Sequence, residues 1–414
     1  MPFHHTTLPN GLTIIGESNP QARSVALGFF VKTGARDETE DISGVTHFLE
    51  HMIFKGTPRR TALQVNEDFD RIGANYNAYT SEENTVFHAA ILPEYLPQAV
   101  DILTDILRPS LRDDDFDMEK KVIIEEIGMY DDQPMWAAYD IAKQTFFGDH
   151  PLGKSVLGTK ESISQLQCSQ MRDYFQHRYV SSNILAVATG CLDWSELVRL
   201  IEQHTCHWPD HPTQRVHPPG PKLSSFKIVP KPTVHQEHCF LLSSGPEADS
   251  PLRYAAEILA TAIGDDTGSR LYWSLIDTGL VEAADFSVHE YAGAGAYYGY
   301  FCGERENTEK CLQIFLNELR QVQRNGITDA EIRTTKSKLA SRIVRGNERP
   351  MGRMQALGFQ WTYLNTYRTI DDDLASVDAV TSTQIKQLLN LHPIDRPTIV
   401  ALGPLEKLSS PYND

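Results

Sequence analysis

GVTHFLEHMIFKGT, residues 44–57, sets two histidines four positions apart in a run whose apolar members Val45, Phe48, Leu49, Met52 and Ile53 recur at helical spacing. On a helix, His47 and His51 leave one face about one turn apart, so both imidazoles can reach a single ion. Glu50 lies on the same general face, one turn after His47. Neutral imidazoles suit zinc, and a carboxylate so placed can take a proton from a water at the metal instead of binding the metal itself. Gly56 and Pro58 mark the end of the helix. The HxxEH spacing alone also fits two histidines on an ordinary half-buried helix. A catalytic zinc needs a third protein ligand and an open position, and that ligand has to come from elsewhere in the chain.

The run DMEKKVIIEEIGMY, residues 117–130, offers Glu119, Glu125 and Glu126. Glu119 and Glu126 are seven apart, two turns along one stripe, and Val122 and Ile123 between them are expected to anchor that stripe inward. Glu125 shares its stripe with Lys121 and Asp132 and is expected to face water. The spacing therefore favours Glu126 as the third ligand and Glu119 as a carboxylate that orients a histidine or water. Without HFLEH upstream, the same run would read as a surface helix laced with lysine–glutamate pairs.

Around these two helices the chain reads as α+β, because clusters of helices do not alternate one by one with strands. Strands are expected at Val25 to Val31, at Asn183 to Gly190, at His238 to Leu242 and at Thr398 to Leu402, with an extended stretch at Leu12 to Ile15 and a hairpin or strand pair over Asn75 to Ile91. Helices fit Thr61 to Ile72, the amphipathic run Tyr95 to Leu107, Asp115 to Met129, Ala137 to Phe147, Ser162 to Leu166, Gln170 to Arg178 and Trp194 to His204 in the first half, and Tyr254 to Ile263, Arg270 to Ile276, Thr308 to Val322, Asp329 to Gly346 and Met351 to Trp361 in the second. The proline-dense, aperiodic run from Cys206 to Ser225 predicts a linker. It divides the chain into an N-terminal zinc-binding domain (1–206), a linker (207–225) and a C-terminal domain (226–414) that lacks the metal motif. The order strand, polar stretch, helix in Val25 to Met52 recurs in His238 to Ile263, which suggests internal duplication.

At 414 residues the chain is long enough for two cores. Its net charge of −17 opposes nucleic acid and anionic membranes, and no basic stripe, phosphate loop or zinc-finger spacing supports nucleic-acid binding. The opening MPFHHTTLPNGLTIIGE carries no basic segment followed by an apolar run. No apolar stretch approaches the ~18 residues of a spanning helix, so a cytoplasmic protein is expected. The six cysteines have no CxxC spacing and read as free thiols. No cofactor other than the metal is implied.

The segments GVTHFLEHMIFKGTPRR, DRIGANYNAYTSEENTVFHAAILPEYLPQAVDIL, EKKVIIEEI, HPLGKSVLGTKESI and SSNILAVATG follow one another in an order that resembles the pitrilysin-type (inverzincin, M16) metallopeptidases. The resemblance is to short members similar to the β subunit of the mitochondrial processing peptidase. It implies one zinc held by His47, His51 and Glu126, with Glu50 activating water and Glu119 as the second carboxylate. It implies two homologous α/β sandwich domains of the LuxS/M16-like metallopeptidase type forming a half-shell, assembled as a homodimer or as a heterodimer with a related subunit. The expected activity is endopeptidase cleavage of peptides or unfolded polypeptides.

The resemblance also gives a role to Asn77, Ala78, Tyr79 and Thr80, an edge strand to which a peptide adds as a further strand. It weakens in GSRLYWSLIDTGLVEAADFS, residues 268–287. Relatives carry there an arginine and a tyrosine that grip substrate carbonyls, whereas Ile276 or Asp277 and Glu282 or Ala283 stand at the expected places. Arg270 and Tyr272 are conceivable substitutes, although an arginine there also suits a structural salt bridge. A non-catalytic or partner-dependent subunit is therefore the alternative to an active peptidase, and a plain peptide-binding module is a third reading that Glu50 argues against.

Overall fold

The computed structural model describes residues 2–221 and 223–412. In chain order the strands and helices are β1 (Phe3–Thr7), β2 (Thr13–Ser18), β3 (Val25–Val31), α1 (Val45–Ile53), α2 (Ala62–Arg71), β4 (Asn75–Thr80), β5 (Thr85–Ile91), α3 (Leu96–Ile106), α4 (Asp113–Asp131), α5 (Pro134–Phe147), α6 (Lys160–Gln165), α7 (Cys168–Arg178), β6 (Ile184–Gly190) and α8 (Trp194–Thr205). The second half continues with β7 (Phe226–Pro230), β8 (Gln236–Ser244), α9 (Arg253–Gly264), β9 (Ala283–Tyr291), β10 (Ala294–Glu304), α10 (Thr308–Asn325), α11 (Asp329–Asn347), α12 (Pro350–Leu364), α13 (Ile370–Asp378), α14 (Ser382–Leu391) and β11 (Thr398–Gly403).

Two compact units result, and neither is continuous in the chain. Unit 1 comprises Met1–Gly128, Lys154–Arg215 and Val344–Arg368; unit 2 comprises Met129–Gly153, Val216–Ile343 and Thr369–Asp414. Helix α5 thus packs on the sheet of unit 2, and α12 packs on the sheet of unit 1.

In unit 1 six strands run β1-β2-β6-β3-β5-β4, antiparallel except for the parallel pair β2 and β6. Strand β3 is buried along its whole length. Val25, Leu27, Phe29 and Val31 face the layer of α1, α3 and their neighbours, while Ala26 and Phe30 face α12. Burial on both faces explains why this strand does not alternate polar with apolar residues. Helix α12 approaches closely: a Cβ on Gly358 would lie 2.1 Å from the Phe30 ring. Met354 and Leu357 of α12 are buried against that face, each contributing about 1.5–3 kcal/mol. The Arg353 guanidinium donates to both oxygens of Glu17 on β2, a pair almost wholly out of water, and the Tyr367 hydroxyl adds a bond to Glu17 at 2.7 Å.

In unit 2 five strands run β7-β11-β8-β10-β9, with β7 and β11 parallel and the rest antiparallel. One face packs on α9, α10 and α14, the other on α5 through Ala138, Ala142 and Phe146. The segment expected as a helix from Arg270 to Ile276 forms a π-helical turn over Tyr272–Ile276. Strands β1, β7, β9 and β10 and helices α13 and α14 lie outside the sequence-based expectation. Val122, expected to anchor α4 inward, is instead 47% exposed; Phe116, Ile123 and Ile127 carry the buried face.

A candidate metal centre on two helices

Helix α1 starts without a side-chain cap, since its first position is Gly44 at φ 89°. The carboxylate of Glu38 supplies the missing acceptors, taking the N–H of Gly44 at 2.7 Å and of Thr46 at 2.8 Å. Burial pushes the Glu38 carboxyl up to about 8, against those two bonds. The Thr46 hydroxyl meets the Tyr174 hydroxyl at 2.7 Å, tying the same turn to α7. With its start fixed in this way, α1 presents His47, Glu50 and His51 opposite α4.

His47 Nε2 lies 3.9 Å from Glu126 Oε1, and His51 Nε2 lies 3.5 Å from Glu126 Oε2. The three residues offer ligand atoms within 4.8 Å of one another, the one such cluster among the described residues. A tetrahedral zinc with bonds near 2.0–2.1 Å sets its donors about 3.3 Å apart, so the observed spacings suit that ion with small adjustments. Burial, and then the neighbouring His51, hold His47 down at about 3, so its imidazole is neutral with a lone pair to give. His47 Nδ1 is buried with no hydrogen-bond partner. Two nitrogens and a carboxylate form the donor set of a hydrolytic zinc site, and the residues present fit the metal.

Glu119 stands one step behind. Its Oε1 lies 2.9 Å from His51 Nδ1 and its Oε2 lies 2.5 Å from Lys55 Nζ. Burial opposes the Glu119 charge, but the bonds from His51 and Lys55 outweigh it and hold the carboxyl below its ordinary value. A proton given by His51 Nδ1 to the Glu119 bond leaves the Nε2 lone pair free for a metal shared with Glu126, the arrangement that carboxylate partners impose on metal-binding histidines. Burial also lowers the affinity of His51 for a proton, yet the Glu119 bond and the charges of Glu126 and Glu50 raise it overall. Glu125 is exposed.

Glu50 Oε2 accepts a 2.6 Å bond from the Thr80 hydroxyl at the end of β4. Burial raises the Glu50 carboxyl above its ordinary value; the Thr80 bond and His51 oppose the rise, and Glu126 adds to it. Strand β4 is the edge of its sheet and pairs only with β5. Along it Asn77 is exposed, Ala78 is buried, and Tyr79 and Thr80 are half-buried. Tyr76 stacks on Phe69 of α2, ring centroids 3.9 Å apart.

Of the remaining sequence candidates, Arg270 is engaged within unit 2. Its Nε lies 2.7 Å from Glu331 Oε1, and a second nitrogen lies 3.7 Å from Glu318. Tyr272 packs edge-on against the exposed Trp273. Sequence reasoning did not single out Glu38, Lys55 or Tyr174 as supports of the site. Only Lys55, one turn beyond His51, had a spacing that could have signalled it.

Two histidines and a glutamate on facing helices, with a second glutamate held beside them, define a metallopeptidase with an inverted motif. Comparison with known proteins agrees. Residues 13–160 match Insulinase (Peptidase family M16), and residues 165–339 match the Peptidase M16 inactive domain. An uncharacterised zinc protease of Mycobacterium leprae is 33% identical, covering 96% of this chain and 91% of its own length. The mitochondrial-processing peptidase subunit beta of Saccharomyces cerevisiae is 29% identical over 96% of this chain and 90% of its own. The crystal structure of a protease from Helicobacter pylori superposes with a TM-score of 0.90 at 20% identity, covering 97% of this chain and 99% of that one. The chain belongs to peptidase family M16, has its two-domain α/β architecture, and is a zinc metalloendopeptidase by class.

Proposed function

We propose that the chain hydrolyses internal peptide bonds of peptides or unfolded polypeptides, with one zinc held by His47, His51 and Glu126. The observation that carries this reading is that one cluster brings together a metal donor set and a carboxylate, Glu50, with one oxygen already engaged by Thr80. When bound, zinc supplies Lewis acidity to the scissile carbonyl and lowers the pKa of a water. Glu50 Oε1 takes the proton from the attacking water and returns it to the leaving amine, a role that its raised proton affinity suits. Glu119 holds the His51 tautomer. The outer edge of β4, Asn77 to Thr80, offers backbone groups on which an extended peptide can lie as a further strand.

Arg270 and Tyr272 remain our candidates for distant grip on the substrate, and a homodimer or a heterodimer with a related subunit is the assembly we favour. The cysteines are free, as suits a reducing compartment such as the cytoplasm, and no described helix is long and apolar enough to cross a membrane. One observation favours a second reading, a subunit that needs a partner for activity: Arg270 is already bound by two carboxylates.

The deciding experiment incubates unstructured peptides of about 10–30 residues with zinc-loaded wild type and Glu50→Gln protein, and reads cleavage by mass spectrometry. Loss of a positioned acid–base group lowers rates by about 100-fold or more while size and polarity are kept. Equal cleavage by both proteins would refute the base assignment. No cleavage by the wild type, alone or with a related subunit, would refute the hydrolytic reading.

A further inference from the structure

The segment from Lys32 to Gly44 that leads into α1 and the hairpin connection from Ser81 to Asn84 that follows β4 are locked together. The N–H groups of Ala35 and Arg36 donate to the carbonyls of Ser81 and Glu82 at 3.2 and 2.9 Å. A Cβ on Gly34 would lie 2.4 Å from the Ser81 carbonyl oxygen, so only glycine allows this approach. At the junction Arg36 pairs with Glu83, both side chains almost fully out of water. Arg215, the last residue of the second segment of unit 1 and part of the proline-rich run, closes the joint. Its Nε donates to Asp37 Oδ1 at 2.8 Å and a terminal nitrogen reaches the second Asp37 oxygen. That nitrogen also donates to the carbonyls of Lys32 at 3.0 Å and Glu83 at 2.7 Å. Asp37, 1% exposed, further accepts the Gly34 N–H at 3.0 Å and faces Arg178 at 3.5 Å.

A half-buried guanidinium with this many partners does more than moor a linker, because both segments it clasps lead to the Thr80–Glu50 hydrogen bond. The hairpin connection begins at the residue after Thr80, the donor. The other segment continues through Asp37 to Glu38, whose carboxylate sets the first turn of the helix that carries Glu50, the acceptor. A shift of a few tenths of an ångström at the joint lengthens a 2.6 Å bond enough to free the carboxylate to rotate, and a misplaced reacting group is costly in rate.

We propose that Arg215 is a positioning residue for Glu50. By locking the two segments it holds the Thr80 hydroxyl on Glu50 Oε2 and leaves Oε1 turned toward the reacting water. The proposal rests on the hydrolytic reading above. Arg36 also ties the segments through Glu83, and Arg178 lies 3.5 Å from both the carboxylate and the carbonyl of Asp37; Arg215 adds the link that runs from Asp37 and the Lys32 carbonyl to the Glu83 carbonyl through one planar group.

The test is a double-mutant cycle in the full-length, zinc-loaded chain with Arg215→Ala, Thr80→Val and the pair combined. Each single change is expected to lower kcat by about 5- to 10-fold with KM within about twofold, and the pair to be little worse than Thr80→Val alone, because both act through one hydrogen bond. Arg215→Lys keeps the charge but loses the planar fork. It is expected to recover the thermal midpoint without recovering kcat. Multiplicative effects in the pair, or kcat that follows the thermal midpoint across wild type, Lys and Ala, would overturn the proposal by reducing Arg215 to a structural anchor.

A second arm does not depend on hydrolysis. Amide hydrogen exchange at residues 81–84 and at Ala35 and Arg36 is expected to rise in Arg215→Ala whether or not zinc is present, and unchanged exchange would also overturn the proposal. Faster exchange in a protein whose wild type cleaves nothing would instead leave the joint standing and refute the hydrolytic reading on which its role depends.

Discussion

The two units carry one sheet plan. The order β2-β6-β3-β5-β4 in the first corresponds to β7-β11-β8-β10-β9 in the second, with the parallel pair in the same place. In each, the strand in third place leads through a polar stretch to a helix, α1 or α9. Helix α1 carries His47, Glu50 and His51 and keeps a polar face half open toward α4. Helix α9 reads RYAAEILATAIG and is closed by its neighbour: Gly264 bridges to Phe286 of β9, where an added Cβ would lie 2.1 Å from a backbone nitrogen. Beside this helix stand two acids, Glu257 on α9 and Glu290 on β9, both with their proton affinity raised by burial. The same framework thus serves chemistry or packing according to whether one helix face is left free for ligands, a choice made by a handful of side chains.

The strongest way to break that contrast is to remove a carboxylate from each unit. Glu126→Ala is expected to lose zinc and with it at least about 100-fold in peptide hydrolysis, since it removes one of the three proposed ligands. Glu125→Ala on the exposed side of the same helix, and Glu257→Ala in unit 2, are expected to keep one zinc per chain. Metal quantification on the purified proteins checks this. Full metal occupancy in Glu126→Ala would remove the ligand assignment, and loss of metal in Glu257→Ala would remove the division of labour between the units.

How much of this could be read in advance differs between elements for physical reasons. The metal motif was legible because a helix converts spacing in sequence into proximity in space, so HFLEH and the Glu119–Glu126 stripe carry their own geometry. The Thr80–Glu50 bond was not legible, because it joins a strand and a helix 30 residues apart. Strand β10, the longest among the described residues, was missed because Gly295, Gly299 and Gly303 break its strand signature. The structure supplies the reason at Gly299, where a Cβ would sit 2.8 Å from the Phe315 ring of α10. The periodicity of α5 and α12 showed that each covers something, but a hydrophobic stripe does not say which sheet it covers. Val122 was misjudged for a related reason: the rotation of α4 is set by Phe116, Ile123 and Ile127, and places Val122 outside.

The covering helices give a second contrast. Helix α5 covers its sheet through apolar side chains and buries Lys143 near Asp140 of the same helix, whereas α12 reaches from its apolar face to a strand of the sheet through the buried Arg353–Glu17 pair. Arg353→Ala leaves Glu17 uncompensated in a dry setting and is expected to cost about 3–5 kcal/mol, read as a shift in the denaturant midpoint. Replacing both partners by Met is expected to cost far less. If the double replacement were as damaging as the single one, the pair would be supplying net stability as well as fixing where α12 docks.

The smallest expected effect lies in unit 2 and asks what its retained acids do. Glu290 shares a sheet face with the buried Tyr297, near Glu257 and Arg253. Burial, reinforced by the charge of Glu257 and opposed by Arg253, pushes its carboxyl up to about 8. A group that holds its proton more tightly when folded favours the native state fully below its unfolded value of about 4.5, and that contribution is lost as pH rises through about 8. Wild type is therefore expected to lose stability between about pH 5 and pH 9. Glu290→Gln, which carries no ionisable proton, is expected to show a flatter profile, the two separating by a few degrees in Tm at the alkaline end. Thermal unfolding of the two proteins across that range, with zinc held saturating so that unit 1 contributes equally to both, is the measurement. Parallel profiles would mean that Glu290 ionises freely in the folded protein, and that the face of α9 toward β9 is wetter than its packing indicates.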